Sequence, residues 1–151
     1  MEIERKYLIN LSKTTIELTD YPCRVIEQGY LCTEPVIRIR RDNEKYELTY
    51  KSKGLMTRQE ENLPLTQEAY AHLLQKIDGR LIQKKRYMIP LDCGLTIELD
   101  VFEGELAPLV LAEVEFPDEE TANSFTAPEW FGEDVTFSGL YHNSYLSQKE
   151  K

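Results

Sequence analysis

Between Leu95 and Phe102, apolar and polar residues alternate without a break. Leu95, Ile97, Leu99 and Val101 fall on one face, and Thr96, Glu98 and Asp100 on the other. A period of two marks an extended strand, whose successive side chains point to opposite sides of a sheet. The alternation returns over Val110 to Phe116, where Val110, Ala112, Val114 and Phe116 oppose Glu113 and Glu115. It returns again over Val36 to Arg40 and over Tyr46 to Lys51. Weaker forms run over Glu2 to Ile9, Val25 to Thr33, Thr57 to Leu63 and Leu81 to Met88. These segments predict about eight strands.

The polar faces of these strands are unusual in sign. Like charges recur two residues apart in five pairs: Glu2 and Glu4 (followed by Lys6), Arg38 and Arg40, Lys84 and Arg86, Glu98 and Asp100, Glu113 and Glu115. Such neighbours stand roughly 6.5–7 Å apart on one side of a strand. They repel unless counterions or oppositely charged strands lie between them. One reading is a one-sided sheet with a solvated charged face. The other is a barrel with its charged face inward and its apolar face covered by helices. In that barrel, carboxylates suit Mg²⁺ or Mn²⁺, and arginine and lysine suit phosphate. Together they describe a metal–polyphosphate site, and taken as a set the five pairs favour it.

Turn residues separate the strands. Arg41-Asp42-Asn43-Glu44 reads as a hairpin, Lys53-Gly54 joins the next pair, and Gly104 to Pro108 reads as a short loop. Three helices are predicted. Thr66 caps the first, with Tyr70, Leu73, Leu74 and Ile77 on one stripe and a stop at Gly79. Asp118 caps the second, whose Ala122 and Phe125 share a face. The third runs from Tyr141 to Gln148 and presents Tyr141, Tyr145 and Leu146 to the barrel. Trp130 and Phe131 read as packing residues. With no repeat and no linker, the 151 residues read as a single domain, 1–151, of the α+β class.

The net charge of −9 makes general binding of nucleic acid unfavourable, so an anionic ligand must meet a local basic site. No run approaches the ~18 apolar residues of a membrane span, and the charged start MEIERKYLIN lacks a signal-peptide core. The chain reads as cytoplasmic, with no membrane partner. Cys23, Cys32 and Cys93 show no C-x-x-C spacing and read as reduced structural thiols. His72 and His142 give no histidine metal motif.

Met1-Glu2-Ile3-Glu4-Arg5-Lys6-Tyr7 resembles the N-terminal E-x-E-x-K signature of the CYTH superfamily, the triphosphate tunnel metalloenzymes. Gln28-Gly29-Tyr30-Leu31, Arg38-x-Arg40, Leu48-Thr49-x-Lys51 and Arg58-x-Glu60 resemble the strands that follow. Lys84-x-Arg86-Tyr87, Glu98-Leu99-Asp100-Val101-Phe102, Glu113-Val114-Glu115-Phe116 and Tyr141-x-Asn143 complete the order across nearly the whole chain. Within the superfamily the chain is most similar to the short bacterial members associated with inorganic triphosphate. The resemblance implies an eight-stranded antiparallel barrel with a tunnel, a requirement for Mg²⁺ or Mn²⁺, and a triphosphate-containing small molecule as substrate. A homodimer stays open.

On that footing Lys6, Arg38, Arg40, Lys51, Lys84 and Arg86 are the triphosphate-binding candidates. Glu2, Glu4, Glu113 and Glu115 are the metal candidates, with Glu98 and Asp100 as a second acidic group that either binds metal or bridges to Lys84 or Arg86. Glu4, Lys84, Arg86 and Tyr30 are the catalytic candidates. Glu4 activates water, Lys84 or Arg86 stabilises the departing oxygen, and Tyr30 either donates to phosphate or is an aromatic wall residue. Arg58 joins the basic set or pairs with Glu60, the pairing being preferred. Tyr141, His142 and Asn143 close one tunnel end or cap a helix. The expected activity is metal-dependent hydrolysis of inorganic triphosphate by in-line attack of water. The alternatives are a nucleoside or thiamine triphosphatase, a class IV-type adenylyl cyclase, and a polyphosphate-binding module without turnover.

Overall fold

The computed structural model describes residues 2–147. Ten strands form one antiparallel sheet: β1 (Glu2–Ile9), β2 (Cys23–Thr33), β3 (Val36–Asp42), β4 (Lys45–Lys51), β5 (Thr57–Arg58), β6 (Glu60–Pro64), β7 (Asp78–Pro90), β8 (Thr96–Phe102), β9 (Val110–Glu115) and β10 (Phe131–Asp134). Nine follow the order β10-β1-β9-β8-β7-β2-β3-β4-β6, and β5 pairs with β1. Only Gln59 separates β5 from β6, so one broken strand touches β1 at one end and β4 at the other. That link brings the sheet nearly to closure as a barrel.

The predicted strand count of eight is corrected here. The segment expected as one strand over Thr57 to Leu63 is two, because its halves hydrogen-bond to different neighbours. β10 was expected only as packing residues. Four residues carry no alternation, and the strand exists because it meets β1 at a register shift between Tyr7 and Ile9. Gly132 permits that approach, since a Cβ there would lie 2.6 Å from the Leu8 carbonyl oxygen. At the hairpin between β3 and β4, Asn43 takes φ 54°, a left-handed conformation that asparagine tolerates.

Helix α1 (Gln67–Leu74) starts at Thr66, whose hydroxyl accepts from Ala69 N at 3.0 Å. It ends at Leu74, before the predicted Gly79, which instead lies in β7. Tyr70 packs on Tyr46 of β4 with centroids 5.1 Å apart. Beyond the helix, Ile77 crosses β2 so closely that a Cβ on Gly29 would stand 2.7 Å from it. Helix α2 (Glu119–Ser124) is capped by Asp118 as expected, with Ala122 buried. Helix α3 (Asn143–Leu146) is shorter than predicted, Gln148 lying outside the described residues. Leu146 is buried, whereas Tyr145 is exposed.

Two apolar clusters hold the barrel. The outer one gathers Tyr7, Ile89, Ile97, Leu99, Ala112, Val114 and Phe116 under α2, the 11–21 segment and Trp130–Phe131. The inner one explains where the tunnel ends. Two residues beyond each of these charged or amide positions, the inward row passes into the apolar cluster at the same end of the barrel: Lys6 to Leu8, Gln28 to Tyr30, Arg38 to Val36, Lys84 to Ile82, Asp100 to Phe102, Glu113 to Leu111. Leu146 of α3 and Val135 pack into this cluster. Among the described residues no helix is long and apolar enough to cross a membrane. The three cysteines are free, with Cys23 and Cys93 exposed rather than structural.

Candidate active site

Inside the barrel lies a cavity of about 190 Å³ with an almost wholly polar wall. Glu2, Glu4, Lys6, Tyr30, Arg38, Arg40, Lys51, Arg86, Glu98, Glu113 and Glu115 line it. The inward placement of the charged faces is therefore observed, and the solvated-sheet reading falls. Lys84 and Asp100 are fully buried, at 0% exposure, just behind that wall.

Register sets which charges cancel. Arg86 sits opposite Asp100, and Lys6 opposite Glu113. Asp100 takes Lys84 Nζ at 2.6 Å on one oxygen and Arg86 Nε at 2.7 Å on the other. Lys84 also donates to Asn143 Oδ1 of α3 at 3.2 Å. Lys6 meets Glu113 at 3.3 Å and donates to the Tyr141 carbonyl at 3.2 Å. The C-terminal segment thus forms part of the cavity floor through the Tyr141 carbonyl and Asn143, while His142 takes the cap position of α3, so both alternatives for this segment have a counterpart. Lys51 holds Glu2 at 3.0 Å and Glu60 at 3.4 Å. Arg58 lies 3.8 Å from Glu2, so the preferred Arg58–Glu60 pairing is replaced: β5 sets Arg58 opposite Glu2, and Glu60 faces Lys51 instead. At the mouth, Glu98 lies 3.5 Å from Arg86 and 3.7 Å from Arg24.

Four site charges keep no opposite partner within ion-pair distance among the described residues: Arg38, Arg40, Glu4 and Glu115. Arg38 donates to Thr49 Oγ1 at 2.9 Å, Arg40 to Gln28 Oε1 at 2.7 Å, and Arg38 Nε is buried with no partner. Burial lowers Arg40 to about 9, with Arg38 and Arg86 pushing the same way. Glu4 and Glu115 lie directly opposite each other on β1 and β9. Burial, with Glu113 and Glu2 beside it, pushes the Glu4 carboxyl up to about 8. Glu115 is raised by burial and by Glu2, Glu98 and Glu60. Burial opposes ionisation of Glu113, yet Lys6, Arg86 and Lys84 hold it well below the usual carboxylate range. Burial also lowers Lys84 to about 7, Asp100 working against the change.

The acidic group fits a divalent cation by its chemistry. Crowded, desolvated carboxylates that resist ionisation lack a positive charge, and oxygen donors suit hard cations. No three acidic, histidine or cysteine side chains among the described residues form a ready metal cage. A cation here would need water or ligand oxygens to complete its shell, the habit of Mg²⁺ at phosphate sites.

Several lining residues escaped the sequence reading. Arg24, Asp42, Glu47 and Asn62 face the cavity, and Gln28 and Thr49 stand behind it. None of them has a like-charged residue two positions away on its own strand, so the pairing signal passes over them. Period two was still present: Arg24 and Gln28 share a face with Tyr30 on β2.

The CYTH domain profile matches residues 1–149. The chain belongs to the CYTH family. Two relatives match nearly the whole chain. An inorganic triphosphatase from Nitrosomonas europaea is 40% identical over 149 residues, covering 97% of this chain and 96% of its own. Another, from Acetivibrio thermocellus, is 34% identical over 151 residues, covering 96% and 92%. A crystal structure of an inorganic triphosphatase superposes with a TM-score of 0.73 at 36% identity, covering 99% of this CYTH chain and 96% of the other. A protein from Hippeastrum, at 17% identity and a TM-score of 0.59, shares the fold.

Proposed function

We propose that this CYTH protein is a metal-dependent triphosphatase that hydrolyses inorganic triphosphate, acting as a single domain. One observation carries the reading: a single cavity holds buried, uncancelled cations, Arg38 and Arg40, together with uncancelled carboxylates, the buried Glu4 and Glu115 at the exposed rim. A receptor for polyphosphate alone would need only the first pair. The relatives named inorganic triphosphatase support the choice of substrate.

Arg38, Arg40, Arg86, Lys6 and Lys51 take the phosphate oxygens. The guanidinium groups fork onto them and the ammonium groups act as point charges. Lys84 works from behind the wall, aiming Arg86 through their shared Asp100. With both oxygens engaged by cations, Asp100 is a positioning residue, which leaves Glu2, Glu4, Glu113, Glu115 and Glu98 for the metal. These carboxylates would hold Mg²⁺ or Mn²⁺, which would supply positive charge beside the phosphate oxygens and lower the pKa of a water there. A Glu4 oxygen orients the attacking water and accepts its proton. The water oxygen bonds to the terminal phosphorus as the anhydride P–O bond opposite breaks, and pyrophosphate leaves under Arg86. Tyr30, buried where the charged and apolar zones meet, closes the inner end of the phosphate track.

The test is a product assay. Tripolyphosphate, ATP and thiamine triphosphate are each incubated with the protein and Mg²⁺ or Mn²⁺. Tripolyphosphate is expected to be cleaved fastest, to phosphate and pyrophosphate. Cyclic AMP from ATP without tripolyphosphate cleavage, or tripolyphosphate bound and never cleaved, overturns the proposal.

A further inference from the structure

The buried cations of the cavity are held in two ways. Lys6, Lys51, Arg58, Lys84 and Arg86 each stand against a carboxylate. Arg38 and Arg40 stand against neutral groups, Thr49 Oγ1 and Gln28 Oε1. Both holders are fully buried, at 0% exposure, and both are cross-strand partners of the arginine they touch.

We propose that Gln28 and Thr49 are positioning residues that aim Arg40 and Arg38 at the anion while leaving their charge uncancelled, and that this neutrality sets the affinity for triphosphate. The inference rests on the triphosphatase reading and deepens it. Two details show that the holders are built rather than incidental. Thr49 Oγ1 gives its only hydrogen to Asn62 Oδ1 at 2.6 Å, so its lone pairs are left for Arg38. Gln28 spends its carbonyl on Arg40 although its own Nε2 is buried without a partner among the described residues, a cost that a purely structural position would shed.

A carboxylate at position 28 would hold Arg40 more strongly, by a charge-assisted bond, and remove the unpartnered amide. It would also place a negative charge beside the anion. Affinity and stability should therefore move in opposite directions, which a merely structural role does not produce. The variants are Gln28→Glu and Thr49→Val, measured with tripolyphosphate in two ways: KM and kcat with Mg²⁺, and calorimetric binding with the metal chelated. Gln28→Glu should raise KM by about tenfold or more, leave kcat within about threefold, weaken binding in parallel and raise the melting temperature of the substrate-free protein. Thr49→Val, nearly the same shape without the acceptor, should raise KM severalfold and keeps the test open should Gln28→Glu not fold. KM unchanged in the folded variants, or kcat falling with KM fixed, overturns the inference. Wild-type protein that neither binds nor cleaves tripolyphosphate would sink the triphosphatase reading instead.

Discussion

Glu4 has the same residue type as Glu2 and sits two positions away, yet the two differ in kind. Glu2 shares Lys51 and Arg58, whereas Glu4 faces Glu115 across the strand pair. A carboxyl in that position gains from a cation and is free to take a proton. Glu4→Gln should cut turnover by about 10²–10⁴-fold while tripolyphosphate binding, measured by calorimetry, survives. Equal hydrolysis by both proteins would remove Glu4 from the chemistry. His142 gives a second prediction at this scale. Burial lowers its pKa from 6.5 to about 4, with Lys6 and Arg58 pushing the same way. The unfolded chain therefore binds more protons between those values, and stability rises with pH across the window. Relative to neutrality, where the imidazole is uncharged in both states, the fold loses on the order of 3 kcal/mol as pH falls from about 6.5 to about 4. Denaturant melts of His142→Gln should show a flatter pH dependence there than wild type.

Strand alternation was legible because the pleat is local: β1 spans Glu2–Ile9 as the pattern predicts, and β3, β4, β8 and β9 fall within a residue or two of theirs. Helix starts were legible for the same reason, since Thr66 and Asp118 act on backbone three residues away. Ends and breaks were not. Gln59 interrupts a strand only because the residues on its two sides pair with strands distant from each other in the chain. α3 shows best what an element adds to the site. Its Leu146 fills the apolar end of the barrel while its Asn143 reaches Lys84. Leu146→Ala should cost about 2–5 kcal/mol in denaturant unfolding and also raise KM for tripolyphosphate, because the floor that holds Lys84 and Lys6 loosens. A destabilised variant with wild-type KM would show that the plug serves the fold alone.

Across the whole molecule, most of the interior charge is already cancelled by protein groups. Lys84–Asp100–Arg86, Lys6–Glu113 and Lys51–Glu2 tie β7 to β8, β1 to β9 and β4 to β1. The fold accordingly needs no metal to hold its like charges together, and only the leftover group around Glu4 calls for one. Removing divalent cations with a chelator should abolish turnover while the far-ultraviolet circular dichroism spectrum stays unchanged and the melting temperature falls by no more than about 5 °C, the change set by metal linkage to the folded state. Cooperative unfolding on chelation would mean that the metal is structural.

The amino-acid sequence by itself determined the strands that alternate, the sign of charge at the paired inward positions and the membership of the family. All three are carried by neighbouring residues or by their order along the chain. Tertiary structure alone decided which charges stay free. Lys51 cancels Glu2 from 49 positions away, and Gln28 rather than a carboxylate meets Arg40, because barrel closure and cross-strand register choose each partner. Coulomb energy depends on distance through space, and distance along the chain does not report it.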